Sequence, residues 1–141
     1  LLESGRPLLV AAAAPAETLG RRIAIAWNGS AEAARAVGAA LPLLADAGSV
    51  SVIAVGDTAP PEAGGDALVA YLARHAIEAR LNSVEAGGAP VGKTLLAEAE
   101  GAHADLLVMG AYTHSRLREL VFGGVTREVL AAADLPVLMA H

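Results

Sequence analysis

The sequence predicts an α/β domain in which a parallel sheet is covered by helices on both faces. Three observations carry that prediction. Short apolar runs alternate along the chain with segments of helical periodicity. The runs are apolar at successive positions, as strands buried on both faces must be. And 34 of the 141 residues are Ala, a side chain small enough to let helices lie close on a sheet.

The elements follow in order. Pro7-Leu8-Leu9-Val10 reads as a buried strand. Arg6 ahead of Leu8 to Ala14, with Ala12-Ala13-Ala14 behind, imitates a secretory leader, but Glu3 makes the leading segment acidic and the strand reading is preferred. Ile23-Ala24-Ile25-Ala26-Trp27 is a second strand by its β-branched content and brevity. Asn28-Gly29-Ser30 is its turn, with Ser30 an N-cap. From Ala31 the apolar positions Ala33, Val37, Leu41 and Leu44 recur at helical spacing until Gly48, and Pro42 is expected to kink that helix. Val50 to Val55 is the next strand. After the Pro60-Pro61 loop, Leu68, Leu72, Ala76 and Ala79 mark a second helix, and a short strand over Leu81 to Glu85 follows. Leu95, Leu96 and Ala99 form a third helical face. Leu106-Leu107-Val108-Met109 is a strand ending at Gly110. A long polar loop leads to Val125, Val129 and Ala132 on a last helix, and Leu135 to Ala140 closes the chain as a strand.

Composition excludes several classes of function. A chain of this length buries roughly 70% of its unfolded surface and needs no disulfide or metal to fold. Ten Lys and Arg against 15 Asp and Glu give net −5, the wrong sign for a nucleic-acid partner, and an aromatic content of 3% leaves no base-stacking platform. Any anionic ligand needs a local positive site. The absence of Cys removes disulfide frameworks, thiolate zinc sites and thiol nucleophiles, and fits a reducing cytoplasm. No apolar run approaches the ~18 residues of a membrane span, so no membrane partner is expected.

The chain also echoes itself. Gly5-Arg6-Pro7-Leu8-Leu9-Val10-Ala11-Ala12 resembles Asp134-Leu135-Pro136-Val137-Leu138-Met139-Ala140-His141, at a separation of one α/β unit plus a linker. Chance similarity between two short strands is one reading. The preferred one places the last strand of a preceding copy and a linker in residues 1–20, the linker being Ala13 to Gly20, and one whole copy in residues 21–141.

Two loops carry candidate chemistry. The segment from Gly110 to Gly124 leaves the carboxyl end of a buried strand, contains His114, Ser115, Arg116 and Arg118, and enters a helix near Val125 through Gly123-Gly124. Ligands of open α/β sheets bind off the carboxyl ends of strands, and a helix N-terminus approached by glycines offers free N–H groups to a phosphate. The other reading is that the glycines only turn the chain and the arginines form a solvated face with Glu119. The second loop, Gly87-Gly88-Ala89-Pro90-Val91-Gly92-Lys93-Thr94, fits the G-x-x-x-x-G-K-[ST] phosphate loop between strand and helix. Against it, Pro90 lacks a cradling N–H, and the strand after Thr94 ends in Gly110, not in a Mg²⁺-holding Asp. A glycine-rich turn with Lys93 in solvent is the preferred reading. His75, His103 and His141 are scattered, no histidine pair has metal-ligand spacing, and no serine sits in a nucleophile elbow. Asp57, Asp105 and Asp134 read as residues that cap or terminate elements, so no catalytic constellation is expected.

Asp105-Leu106-Leu107-Val108-Met109-Gly110, the stretch His114 to Glu119, and Phe122-Gly123-Gly124-Val125-Thr126-Arg127 together resemble the signature of the universal stress protein family. Ala26-Trp27-Asn28-Gly29-Ser30 is similar to that family's first strand and turn. The resemblance covers residues 21–141, and with the internal echo it implies the C-terminal domain of a tandem member. It implies a Rossmann-like, adenine nucleotide alpha hydrolase-like sheet of five parallel strands. It further implies pairing through the last strand, within a tandem or in a homodimer, so that Pro7 to Ala12 lies antiparallel to Val137 to Ala140.

Nucleotide-binding members carry G-x-x-G, nine residues, then G followed by Ser or Thr. Gly110 and Gly123 match the first and third glycines, Thr113 replaces the second, and Gly124 replaces the hydroxyl residue. A Cβ at a left-handed position costs about 1 kcal/mol or more, so the motif is degenerate, with Thr126 matching a further hydroxyl position. Asn28 stands where those members carry Asp. The resemblance thus implies a stress-response module binding ATP or AMP, with Mg only alongside ATP. Ala26, Asn28, Val55, Met109, Gly110, Thr113, His114, Arg116, Gly123, Gly124, Val125 and Thr126 would line the site, and Trp27 would be the only nearby ring. At most weak ATP hydrolysis is implied. The alternatives are a dimerisation and interaction module without nucleotide, and a phosphate-loop NTPase using Gly87 to Thr94.

Overall fold

Alternate residues of each central strand enter opposite cores. A computed structural model of the chain describes residues 5–14, 17–56, 64–85, 87–111 and 124–141. Its elements are β1 (Leu8–Val10), β2 (Arg22–Ala26), α1 (Ala31–Ala45), β3 (Ser49–Val55), α2 (Gly65–Arg74), β4 (Ala79–Val84), α3 (Val91–Gly101), β5 (Leu106–Gly110), α4 (Gly124–Ala132) and β6 (Val137–Ala140). They build one six-stranded sheet in the order β1-β6-β5-β2-β3-β4. Ile23, Ile25, Val50, Val52, Leu106 and Val108 pack against Val37, Ala40 and Leu44 of α1 and Leu68 and Leu72 of α2. Ala24, Ala26, Ile53, Val55, Leu107 and Met109 turn to the other face, against Leu95 and Ala99 of α3 and Val129 of α4. Each large aliphatic side chain taken from water in this way contributes roughly 1.5–3 kcal/mol. The alanines do what their size suggests: Ala33, Ala36 and Ala40 of α1 are buried against the sheet.

Five strands are parallel, β2 pairing with β3 and with β5, β3 with β4, and β5 with β6. The sixth is the expected extra strand. β1 runs antiparallel along β6, with Leu8 opposite Met139, Leu9 opposite Leu138 and Val10 opposite Val137.

Several boundaries differ from the sequence reading. The second helix does not reach Ala79. It ends at Arg74, where the Ala76 N–H donates to the Ala73 carbonyl and the Ile77 N–H to the Leu72 carbonyl, a Schellman closure with Ala76 at φ +58°. Ile77 is buried by the reversal, Ala79 opens β4, and His75 is the C-cap rather than a mid-helix residue. α1 runs unbroken through Pro42 to Ala45. The closing strand begins after Pro136, at Val137.

At the amino ends of the strands, Asp105 ties the incoming segment to the sheet. Its carboxylate accepts from the Thr18 hydroxyl at 2.6 Å and from the N–H groups of Arg21 at 3.0 Å and Arg22 at 2.9 Å. Burial works to raise this carboxyl, but the bonds from Thr18, Arg22 and Arg21 and the Arg22 charge outweigh it and hold it below the ordinary carboxylate value. Asp105 is thus a structural anchor, as its place before a strand suggests.

Candidate functional site

The strand order reverses between β2 and β5: the chain goes from β2 to β3 and β4 on one side, then returns to β5 and β6 on the other. Connections leaving these two strands depart in opposite directions, which opens a crevice at their carboxyl ends. A cavity of about 380 Å³ lies there, within the usual size of small-molecule sites, roughly 300–1,000 Å³. Ala26, Trp27, Asn28 and Ser30 come from the end of β2 and its turn, Val55 from β3, and Met109 and Gly110 from β5. Val91 and Leu95 come from α3, and Gly124, Val125 and Thr126 from the start of α4.

The turn after β2 is held by its own side chains. Asn28 Oδ1 accepts from the Ser30 N–H at 3.1 Å, and Ser30 Oγ accepts from the Ala33 N–H at 3.1 Å, capping α1 as its sequence position predicts. One acceptor position of the exposed Asn28 carboxamide is therefore committed to the turn. Gly110 is constrained by packing. A Cβ there would meet the backbone N of Ala33 and come within 2.7 Å of the Glu32 carbonyl carbon, so the first turn of α1 rests directly on the end of β5.

Ala26, Asn28, Val55, Met109, Gly110, Gly124, Val125 and Thr126, singled out in the sequence, are brought together around this cavity. Thr113, His114, Arg116 and Gly123 lie outside the described residues, as do Asp57 and Pro60-Pro61. Val91 and Leu95 were not anticipated as lining residues. Their i, i+4 spacing was the available signal, but the glycine-rich run before them drew attention to phosphate chemistry instead. None of the described lining residues is ionisable, so among these residues the N-terminal ends of helices, reached at Ser30, Val91 and Gly124, are what the cavity offers an anion.

The Gly87–Thr94 loop is built for something else. Lys93 is exposed and lies on a separate groove with Glu100 and Asp134. The Thr94 hydroxyl donates back to the Pro90 carbonyl at 3.4 Å. The Gly92 N–H, at the N-terminus of α3, already donates to Glu128 Oε2 of α4 at 3.0 Å. A carboxylate of the chain thus occupies the place a phosphate would need. Among the described residues no cluster of His, Asp and Glu could hold a metal ion, and no helix is long and apolar enough to cross a membrane.

Comparison with known proteins gives a consistent answer. The model of the universal stress protein family matches residues 20–141. A universal stress protein of Synechocystis sp. is 56% identical over 34 residues, which are 24% of this chain and 12% of that protein. A universal stress protein from Archaeoglobus fulgidus superimposes with a TM-score of 0.76 at 21% identity, covering 98% of this chain and 50% of its own. Another structure from the same organism, in complex with dAMP, superimposes with a TM-score of 0.62 at 21% identity, covering 82% of this chain and 94% of its own. The chain therefore spans half the length of the first of these structures and a small part of the Synechocystis protein, and likeness at such identities is one of fold.

Proposed function

The chain belongs to the universal stress protein family, and from that premise we propose that it is an adenine-nucleotide binding module, taking AMP or ATP in the crevice between β2 and β5. The observation that carries this reading is the cavity itself, apolar along β2, β3 and β5 and ending at the first turn of α4. The adenine lies against Val55, Met109 and Ala26, with Trp27 the nearest ring. Asn28 meets the base or ribose from the turn. The phosphate sits at the first turn of α4, toward the N–H groups of Gly124 and Val125, where the helix dipole places partial positive charge. Thr113, His114, Arg116 and Gly123, outside the described residues, are assigned to the phosphate side by the sequence motif alone, and Mg enters only with ATP. The dAMP held by the Archaeoglobus relative supports the ligand class.

The reading extends to the larger protein: residues 1–20 are the last strand and linker of a preceding copy, and residues 21–141 are the second domain of a tandem. The 50% coverage of the Archaeoglobus chain supports it, as does the antiparallel seat of β1 on β6.

Gly124→Val provides the test. Gly124 lines the cavity, and a Cβ there meets nothing within 4 Å among the described residues, so a branched side chain can be added at the cavity wall without displacing a described neighbour. AMP and ATP are expected to raise the melting temperature of the wild type and of Lys93→Ala, and to leave Gly124→Val unmoved. A wild type that neither nucleotide shifts would leave the interaction module as the better reading, and loss confined to Lys93→Ala would favour the NTPase.

A further inference from the structure

The N-terminus of α3 lacks what its own sequence normally provides. Pro90 stands at the N-cap without a capping side chain, and no acidic residue occupies the first turn. The missing acceptor comes from another helix, as Glu128 of α4 takes the Gly92 N–H at 3.0 Å. The approach is close. A Cβ at position 92 would come within 2.6 Å of Glu128 Cβ, 2.7 Å of its Oε2 and 3.2 Å of the Val125 carbonyl oxygen. Only glycine permits α4 to press this face onto the backbone of α3.

The contact lies directly behind the crevice. Val91 precedes Gly92 and, with Leu95, lines the cavity from α3, while Val125 lines it from the adjoining first turn of α4. We infer that Glu128 is a positioning residue for nucleotide binding: its clasp on Gly92 fixes the first turn of α4, and so the donors that meet the phosphate. The carboxylate also neutralises the positive end of α3, leaving the start of α4 as the anion seat on this wall. This rests on the nucleotide reading above and adds a residue that touches no ligand.

The effect should be specific to phosphate, because the clasp orients amide donors and not the apolar surface under the base. Titration calorimetry of the full chain with AMP and with adenosine reads this. Glu128→Ala is expected to weaken AMP by about five- to tenfold, the size of one ordinary hydrogen bond, and adenosine by less than about twofold. Glu128→Gln, which keeps the acceptor, should recover AMP affinity to within about twofold of wild type. Hydrogen exchange at the Gly92 amide should quicken in the Ala variant and not in the Gln variant. If Glu128→Ala does not fold, Glu128→Asp, one methylene shorter, is read in its place with the same expectation. Equal losses for AMP and adenosine, no loss for either, or a Gln variant as weak as Ala would overturn the inference alone. A wild type that binds neither ligand would remove the nucleotide reading and the inference with it.

Discussion

Asp105 shows how one buried carboxylate joins chain segments far apart in sequence. Its two oxygens face three donors, from Thr18, Arg21 and Arg22, at 2.6–3.0 Å. Asn at this position would set an NH₂ group against donors whichever way the amide turned, so Asp105→Asn should cost about 2 kcal/mol at neutral pH. The folded carboxyl is held below its ordinary value, so the stability it adds is fully present above the unfolded pKa, about 3.9, and is lost as pH falls through the lower folded pKa. Chemical denaturation of wild type and Asp105→Asn should therefore show a gap that is constant from about pH 5 upward and narrows below about pH 4. A gap that persists unchanged in acid would mean that the ionised form is not what the donors favour. Ser30 was legible together with its partner, because the Ala33 N–H is set by local backbone, whereas Asp105 was legible only as an element-ending residue, its partners Thr18, Arg21 and Arg22 being far away in sequence. Gly110 was legible only in part: its sequence context pointed to phosphate, while its immediate constraint is the α1 backbone lying against it.

At the scale of elements, strands were easier to read than helix ends. Leu106 to Met109 is apolar on both faces and bounded by Asp105 and Gly110, so little competes with that assignment. The end of α2 was misread because Ala76 and Ala79 continue its apolar spacing, and nothing in Arg74-His75-Ala76 announces a reversal. The reversal is set by tertiary burial of Ile77, which outweighs the cost of placing Ala76 in the left-handed region at φ +58°. α3 closes in the same way, with His103 at φ +52° donating to Glu100 and the Ala104 N–H to Ala99. An L-residue in that conformation is strained by roughly 1–2 kcal/mol, part of which glycine returns as unfolded-chain entropy. Ala76→Gly, a site exposed at its Cβ, should then stabilise the domain by about 0.5–1 kcal/mol, read as a raised urea midpoint at unchanged slope. A lowered midpoint would show that the reversal is not held where these hydrogen bonds put it. The α3–α4 wall was the least legible part of the site, since it depends on Gly92 and Glu128, far apart in sequence and joined only by packing.

For the whole molecule, the decisive feature is which edge of the sheet is open. β6 would otherwise be the edge strand, and its outer N–H and C=O groups are taken by the three residues of β1. The cover is modest. Leu8 and Leu9 remain 43% and 47% exposed, and only Val10 packs on a core. A short apolar strand with half-exposed leucines is poorly suited to end a sheet in water, and well suited to continue into another body of protein. That is the tandem reading at the scale of the molecule, in which β1 brings the end of one copy onto the end of the next. It implies a competition. Any second chain pairing through β6 must displace β1, so dimerisation through the last strand should be suppressed while residues 5–12 are in place. Removal of residues 1–12, which leaves Thr18 and the Asp105 anchor intact, should expose Val137 to Ala140 as an unprotected edge. The shortened chain is expected to dimerise in a concentration-dependent way under sedimentation, more strongly than the 141-residue chain at equal concentration. Met139→Pro in the shortened chain should abolish the gain, because the Met139 N–H faces the outer edge of β6 and proline removes that donor while leaving the donors that face β5. If the shortened chain stays monomeric at every concentration, β1 is not what keeps the last strand from a partner, and the pairing of successive copies must be sought on another face.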